Sequence, residues 1–115
     1  MPTILLISPS DELYLVLQEH LRNRYRIFFA PTPEEGAALL PHKIDILIID
    51  LFLPRTDGFS FLKKHIEDIP PSVCLLTSLV DQVILDTASN LGVAKILLKP
   101  ANITAVLRWL DVLHK

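Results

Sequence analysis

Three side chains that could carry out chemistry together stand at the ends of apolar runs in this chain: Asp50, Thr77 and Lys99. A carboxylate, a hydroxyl and an ammonium at one site can accept a phosphoryl group, because the carboxylate attacks while the other two bind the oxygens of the transferred group. The structural alternative is that Asp50 caps a turn and Lys99 neutralises its charge. On position alone the two interpretations are equally supported.

The elements that must position these side chains are five short apolar runs, which alternate with stretches of helical period. The runs are Thr3–Ile7, Tyr25–Phe29, Ile44–Ile49, Val73–Thr77 and Lys95–Leu98. Three of them are almost continuously apolar, which is typical of parallel strands covered on both faces. The pattern predicts an α/β fold, a doubly wound five-stranded parallel sheet with helices on both faces. In that architecture chemistry takes place outside the carboxyl ends of the strands.

Start and stop signals delimit five predicted helices. Two helices begin at capping patterns with a proline near the first turn, Ser8-Pro9-Ser10-Asp11 and Thr32-Pro33-Glu34-Glu35. The other three run from Asp57-Gly58 toward Glu67, from Asp81 to Leu91 with Gly92 as the stop, and from Ile103 to about His114 after Asn102.

The composition limits the class of protein. With 115 residues, 50% of them hydrophobic, the chain suits one globular domain over residues 1–115. A formal net charge of -2 argues against direct nucleic-acid binding, and no apolar run is long enough to span a membrane. The single cysteine, Cys74, excludes a disulfide framework and is interpreted as an inert core thiol. Without a recognisable targeting signal, we expect a cytoplasmic protein.

Two groups of polar residues have simple structural explanations. The four histidines lack the spacing of a metal site and are interpreted as surface residues: His20, His42, His65 and His114. Three arginines span a predicted helix end and the following strand start, where complementation of the helix dipole accounts for them: Arg22, Arg24 and Arg26.

Three motifs resemble those of response-regulator receiver domains, in the family's order and at its spacing. They are Ile44-Asp-Ile-Leu-Ile-Ile-Asp50-Leu-Phe-Leu-Pro54-Arg-Thr-Asp57-Gly58, Leu75-Leu-Thr77-Ser78 and Gly92-Val-Ala-Lys-Ile96-Leu-Leu-Lys99-Pro100. The resemblance covers essentially the whole chain and implies a flavodoxin-like receiver topology. It implies that Asp50 is the phosphoacceptor, that Thr77 is the hydroxyl that follows the phosphoryl group, and that Lys99 is the ammonium that pairs with it. It also implies a cis peptide bond before Pro100.

Two departures from the family pattern concern the metal and the switch. Ser8 and Pro9 occupy the positions where the family has a pair of acids that, with the phosphoacceptor, hold Mg²⁺. Because Mg²⁺ wants several oxygen ligands, preferably anionic, we expect no cofactor and only weak Mg²⁺ binding. Asp11 is the nearest acid but is expected to face its own helix terminus. Ile96 replaces the family's usual aromatic residue, so the aromatic readout is missing.

The predicted fifth helix carries two apolar stripes at helical spacing. One stripe should face the sheet: Ile103, Val106, Leu107, Leu110 and Leu113. The second stripe either covers the edge of the core or forms a contact surface: Ala105, Trp109 and Val112. Because the family docks partners and dimerises through its fourth helix, fifth strand and fifth helix, the face with Ile96 and Trp109 is a candidate homodimer interface.

The resemblance implies an atypical receiver domain in phosphorelay signal transduction that is not an enzyme. Asp50 is kept, Mg²⁺-dependent phosphorylation is weak or lost, and signalling runs through protein–protein contacts with a sensor histidine kinase or another signalling protein. One alternative is a fully phosphorylation-competent receiver. Another is a flavodoxin-like cofactor binder on the same sheet topology, which the lack of a Ser/Thr/Gly-rich loop after the first strand disfavours.

Overall fold

The computed structural model describes residues 1–113, which form alternating strands and helices. The strands are β1 (Thr3–Ile7), β2 (Arg26–Ala30), β3 (Ile46–Asp50), β4 (Phe52–Leu53), β5 (Thr56–Asp57), β6 (Ser72–Thr77) and β7 (Lys95–Leu98). The helices are α1 (Glu12–Leu21), α2 (Pro33–Leu39), α3 (Gly58–Lys64), α4 (Gln82–Asn90) and α5 (Ile103–Leu113). The predicted end of the last helix near His114 lies outside the described residues.

The main sheet is parallel and has the strand order β2-β1-β3-β6-β7. The apolar runs predicted the doubly wound parallel sheet, and the family resemblance implied its flavodoxin-like topology; both are confirmed. The strands β1 and β3 are buried along their full length, since helices cover both faces of the sheet. The register places Asp50 of β3 beside Leu76 of β6, so residues that follow the neighbouring strands come together at the carboxyl end of the sheet.

The alternation of side chains along each strand divides the core into two clusters, one on each face of the sheet. In β1, Ile4 and Leu6 pack with α1 and α5, whereas Leu5 and Ile7 pack with α2, α3 and α4. Helix α2 approaches β1 closely at Gly36, where an added Cβ would lie 2.4 Å from the Ile7 side chain. A larger residue at this position would therefore push α2 away from the sheet.

Four of the predicted helix starts are confirmed by side-chain caps. In each case a side-chain oxygen accepts a hydrogen bond from a backbone N–H two or three residues later, which satisfies one of the free donors at the helix start. The pairs are Thr32 with Glu35, Asp57 with Ser60, Asp81 with Ile84, and Asn102 with Thr104. Helix α3 is shorter than predicted and ends at Lys64 rather than near Glu67, because the chain turns at His65.

A two-stranded antiparallel hairpin between β3 and α3 was not anticipated by the sequence pattern. Phe52 pairs with Asp57 and Leu53 with Thr56, and Arg55 closes the turn with a positive φ of 64°. Two-residue strands are too short to produce a readable alternation. The Lys99-Pro100 peptide bond is cis, as the family resemblance implies. Within residues 1–113, no helix has the length and apolar character required to cross a bilayer.

Candidate functional site

Asp50 is a buried carboxylate at the carboxyl end of the central strand. It is the last residue of β3, and only 1% of its surface is exposed. The preceding residues Ile46–Ile49 are fully apolar and buried, which fixes the strand and leaves its last side chain at the sheet end. A charged group in such a place needs partners, because an unpaired buried carboxylate is strongly disfavoured.

Each carboxylate oxygen of Asp50 has one partner. Lys99 Nζ lies 2.9 Å from Asp50 Oδ1 and forms an ion pair with it. The Ser8 hydroxyl donates a hydrogen bond of 2.6 Å to Asp50 Oδ2. Ser8 follows β1 and Lys99 follows β7, so the parallel sheet brings together residues from three strands. The negative charge is thereby balanced by one ammonium and one neutral hydroxyl.

Thr77 ends the strand next to that of Asp50, and its hydroxyl is hydrogen-bonded to Leu79 rather than to Asp50. It ends β6, is fully buried, and its hydroxyl donates to the Leu79 carbonyl at 3.0 Å while accepting from the Leu79 N–H at 3.1 Å. The backbone N–H of Lys99 donates to the Thr77 carbonyl at 2.9 Å, which ties the two strand ends together. Lys99 is thus in direct contact with Asp50. The Thr77 hydroxyl instead bonds to Leu79 in the loop that follows β6.

The prediction of a capping box at Ser8 is wrong. Helix α1 begins at Glu12, four residues after Ser8, and Asp11 occupies its N-cap position without a side-chain cap bond. Ser8 instead continues the β1–β2 ladder, where its N–H donates to the Ala30 carbonyl at 3.1 Å. Its hydroxyl bonds Asp50, a partner 42 positions away in the sequence. A local motif cannot reveal such a long-range hydrogen bond.

A cleft of about 520 Å³ opens beside the Asp50–Lys99 pair. It lies between the first turns of α1 and the loop that leads into α5. Its lining comprises Ser8, Ser10, Glu12, Leu13, Val16, Asp50, Leu76, Lys99, Pro100 and Ala101. Glu12 is a second carboxylate at this cleft that the sequence motifs did not single out, since it stands outside the family pattern.

The oxygen donors of the site are a poor match for Mg²⁺. A divalent hard cation prefers several oxygen ligands, most of them anionic. Both oxygens of Asp50 already bind Lys99 and Ser8, and exposed Pro9 has no side-chain ligand. Among residues 1–113, no three His, Cys, Asp or Glu side chains come close enough together to hold a metal ion.

The structure does not show the interface predicted on the face with Ile96 and Trp109, and the two residues pack in different core clusters. Trp109 is 8% exposed and packs in the cluster with α1 and α5. Ile96 packs against the cluster of the other face. The second apolar stripe is likewise split, since Ala105 packs on the core while Val112 is exposed. Trp109 is thus a core residue that covers the sheet.

The other singled-out side chains lie apart from the site. Cys74 is a buried free thiol in the middle of β6, as predicted, and burial raises its pKa to about 12. His20 and His42 are exposed, and His65 is half-buried against Phe61. His114 lies outside the described residues.

No family model matches the chain. Comparison with curated proteins finds relatives that are longer than this chain. The chain is similar to the transcriptional regulatory protein AfsQ1 of Streptomyces coelicolor, with 30% identity over 117 residues that cover 94% of this chain and 52% of AfsQ1. It is also similar to the transcriptional regulatory protein CpxR of Klebsiella pneumoniae, with 29% identity over 103 residues that cover 89% of this chain and 44% of CpxR. The chain spans about half the length of these relatives.

Two solved structures of similar fold each align with 96% of this chain. The non-phosphorylated HemR receiver domain of Leptospira biflexa has a TM-score of 0.86 and 27% identity, covering 96% of this chain and 92% of that one. The signal receiver domain of an HD domain-containing protein from Pseudomonas fluorescens has a TM-score of 0.81 and 28% identity, covering 96% and 84%. Fold and sequence similarity therefore extend over the same residues.

Proposed function

We propose that this chain is a response-regulator receiver domain of two-component signalling, which its similarity to two transcriptional regulatory proteins and to solved receiver domains supports. In our proposal it is an atypical receiver, in which Mg²⁺-dependent phosphorylation of Asp50 is weak or lost. Its signal depends instead on protein–protein contacts. The observation that carries the proposal is the 2.6 Å hydrogen bond from the Ser8 hydroxyl to Asp50 Oδ2.

The charge balance around Asp50 supports a site that works without a metal. Several clustered carboxylates would repel one another and need a cation, whereas a single carboxylate is neutralised by one ammonium. Here Lys99 supplies that ammonium at 2.9 Å, and Ser8 supplies a neutral donor where the family has acids. Without Mg²⁺, the transferred phosphoryl group would gain charge stabilisation from Lys99 alone among the contacts of Asp50.

The partners of this receiver are proposed at the level of chemical class. We propose that this chain is cytoplasmic and that its partner is a sensor histidine kinase or another signalling protein, as for a receiver in a phosphorelay. The output of any longer protein that contains this domain is outside the proposal, since the chain spans about half of its curated relatives. A fully phosphorylation-competent receiver is the competing function, and it is favoured by the presence of both Asp50 and Lys99, the phosphoacceptor and the ammonium that the family resemblance implies.

Labelling with acetyl phosphate, read by intact mass with and without Mg²⁺, distinguishes the two functions. We expect little or no phosphoryl adduct on the wild-type chain, and no increase with Mg²⁺. Asp50→Asn controls for labelling at other sites. The double variant Ser8→Asp plus Pro9→Asp, which restores the acids, should gain Mg²⁺-dependent labelling. Rapid Mg²⁺-dependent labelling of wild type that Asp50→Asn removes would establish the competent receiver instead.

A further inference from the structure

Four exposed cations lie at the start of β2 and in the loops beside it, at the amino end of the sheet and opposite to Asp50. They are Arg22, Arg24, Arg26 and Lys43, here called the amino-end patch. Strand β2 pairs only with β1, so its outer edge has no neighbouring strand in the sheet. The patch therefore combines positive charge with a free strand edge.

Backbone hydrogen bonds hold the patch in a defined shape. A tight turn after α1 forms where the N–H groups of Arg24 and Tyr25 both donate to the Leu21 carbonyl, at 2.8 and 2.9 Å. Arg26 then enters β2, and its N–H donates to the Pro2 carbonyl at 2.9 Å. The arginines thus project from a rigid turn and strand start, which lowers the entropic cost of binding to them.

The patch borders a groove of about 560 Å³ with both polar and aromatic walls. Arg26 and Phe28 form one side, since side chains two apart on a strand share a face. His42 and Lys43 form the other, and the His42 ring lies edge-on to Phe28 with ring centroids 5.8 Å apart. The groove can therefore contact charged and apolar side chains at once.

Among residues 1–113, no ion pair involves a cation of the patch, since the two ion pairs there join Arg55 with Glu34 and Lys99 with Asp50. Two carboxylates line the grooves beside the patch, Asp45 and Asp111, and Asp45 accepts a hydrogen bond from the Thr3 N–H at 2.8 Å. Three of the patch cations line these two grooves against two carboxylates, so the charge of the lining side chains is net positive on a chain whose formal net charge is -2.

Helix-dipole complementation does not account for the whole patch. Arg22 follows the last turn of α1 and fits that explanation, but Arg26 is a strand residue. We propose that the amino-end patch docks an extended acidic segment of a partner protein along the edge of β2. Glutamate or aspartate side chains would meet the patch cations, alternating with apolar side chains that contact Phe28, and the strand edge would supply backbone hydrogen bonds.

An acidic polypeptide suits the patch better than a nucleic acid does. DNA carries one charge about every 1.7 Å of helix axis, so its binding needs a long positive surface. The positive charge here is confined to the start of β2 and the loops beside it, and the chain as a whole is acidic. A short peptide with a few carboxylates matches that extent.

Fluorescence anisotropy with a labelled peptide of alternating Glu and Val tests the proposal on the full chain. We expect binding that weakens with added salt and falls by about tenfold or more when Arg24→Glu and Arg26→Glu reverse two charges of the patch. The matched control is Lys95→Glu plus Arg108→Glu, which changes the net charge equally at exposed positions, with Lys95 on the opposite edge strand β7. Circular dichroism checks folding, and Arg24→Gln plus Arg26→Gln tests the same contacts without charge reversal.

Several results would overturn the assignment. Absence of peptide binding at low salt, or equal loss in the patch variant and the control, would show that the patch has no specific acidic partner. Tighter binding of a mixed-sequence DNA duplex than of the peptide would point to nucleic acid instead. Sedimentation that shows a dimer, lost on mutation of the patch, would assign the surface to a second copy of the chain. None of these outcomes depends on phosphorylation of Asp50.

Discussion

At the scale of single residues, the Ser8–Asp50–Lys99 arrangement defines the chemistry available to the chain. Each oxygen of the buried carboxylate has one donor, Ser8 for one and Lys99 for the other. Charge-assisted hydrogen bonds of this kind are about twice as strong as those between neutral groups. Ser8 is therefore a structural partner of Asp50, and its removal should be felt in the stability of the whole fold.

Replacing Ser8 by alanine should lower the free energy of unfolding by about 1–3 kcal/mol, because one buried carboxylate oxygen loses its donor. Urea denaturation at neutral pH measures this change. Ser10→Ala is the matched control, since Ser10 is exposed and its hydroxyl accepts a long hydrogen bond of 3.3 Å from the Glu12 N–H in the same loop. Equal effects of the two substitutions would mean that the Ser8 hydrogen bond contributes no net stability.

Restoring both acids with Ser8→Asp plus Pro9→Asp should destabilise the metal-free fold by about 1–2 kcal/mol, a range typical of point mutants. The cause is repulsion from Asp50, and Mg²⁺ should reverse it by binding the carboxylates. Thermal unfolding with and without Mg²⁺ measures both effects.

Wild type should show Mg²⁺ affinity no tighter than about millimolar. Micromolar binding to wild type by calorimetry would contradict the proposed metal independence.

At the scale of elements, helix α5 shows how packing decides the role of an apolar residue. Its exposed and buried positions cannot be separated by helical spacing alone, because Trp109 and Val112 belong to the same predicted stripe. In the fold, Trp109 fills the core between α5 and the sheet, and Val112 is 65% exposed. The stripe is therefore divided between core and surface.

Trp109→Ala should destabilise the fold by about 3–5 kcal/mol, as expected for truncation of a large core side chain that leaves a cavity. Val112→Ala, at an exposed position of the same helix, should change stability by less than about 0.5 kcal/mol. Chemical denaturation followed by circular dichroism compares the two. A stable Trp109→Ala variant that has merely lost self-association would return Trp109 to an interface role.

Helix caps offer a second matched pair at this scale. Asp81 caps α4 by accepting from the Ile84 N–H at 2.9 Å, whereas Asp11 at the start of α1 makes no cap bond. Asp81→Ala should therefore cost about 1 kcal/mol, the usual value of a cap, and Asp11→Ala markedly less. Thermal melts of both variants decide the comparison. A larger loss for Asp11→Ala would imply a contact of Asp11 that the fold does not show.

At the scale of the whole molecule, the sheet was predictable because the short apolar runs that indicate its strands recur along the chain. The apolar runs of β1 and β3 could be recognised as doubly covered strands, and strand ends then located Asp50, Thr77 and Lys99 together. The failures share one cause, which is dependence on distant partners. Ser8 satisfied a local capping pattern but bonds a residue 42 positions away. The burial of Trp109 likewise depends on how α5 seats on the sheet.

The Cys74 thiol reports on opening of the whole molecule. Burial raises its pKa from 9.0 to about 12, offset in part by the charge of Lys95. The unfolded thiol ionises above pH 9 while the folded one stays neutral, so stability should fall as the pH rises from about 9 toward 12. At pH 8, a thiol reagent such as Ellman's reagent should react only at the rate of unfolding. Fast labelling of the native chain would contradict a closed core at β6.

The strand order has a consequence for when each part of the sheet opens. The central strand β3 bonds to β1 and β6 on its two sides, whereas β2 and β7 each bond to one neighbour. Amide protons of β3 should therefore be the last to exchange with deuterium, on the timescale of global unfolding, and those of β2 should exchange earlier through local fraying. A partner bound at the edge of β2 would slow amide exchange in β2 and leave the exchange rates of β3 unchanged. Time-resolved exchange can therefore show which residues a bound partner covers.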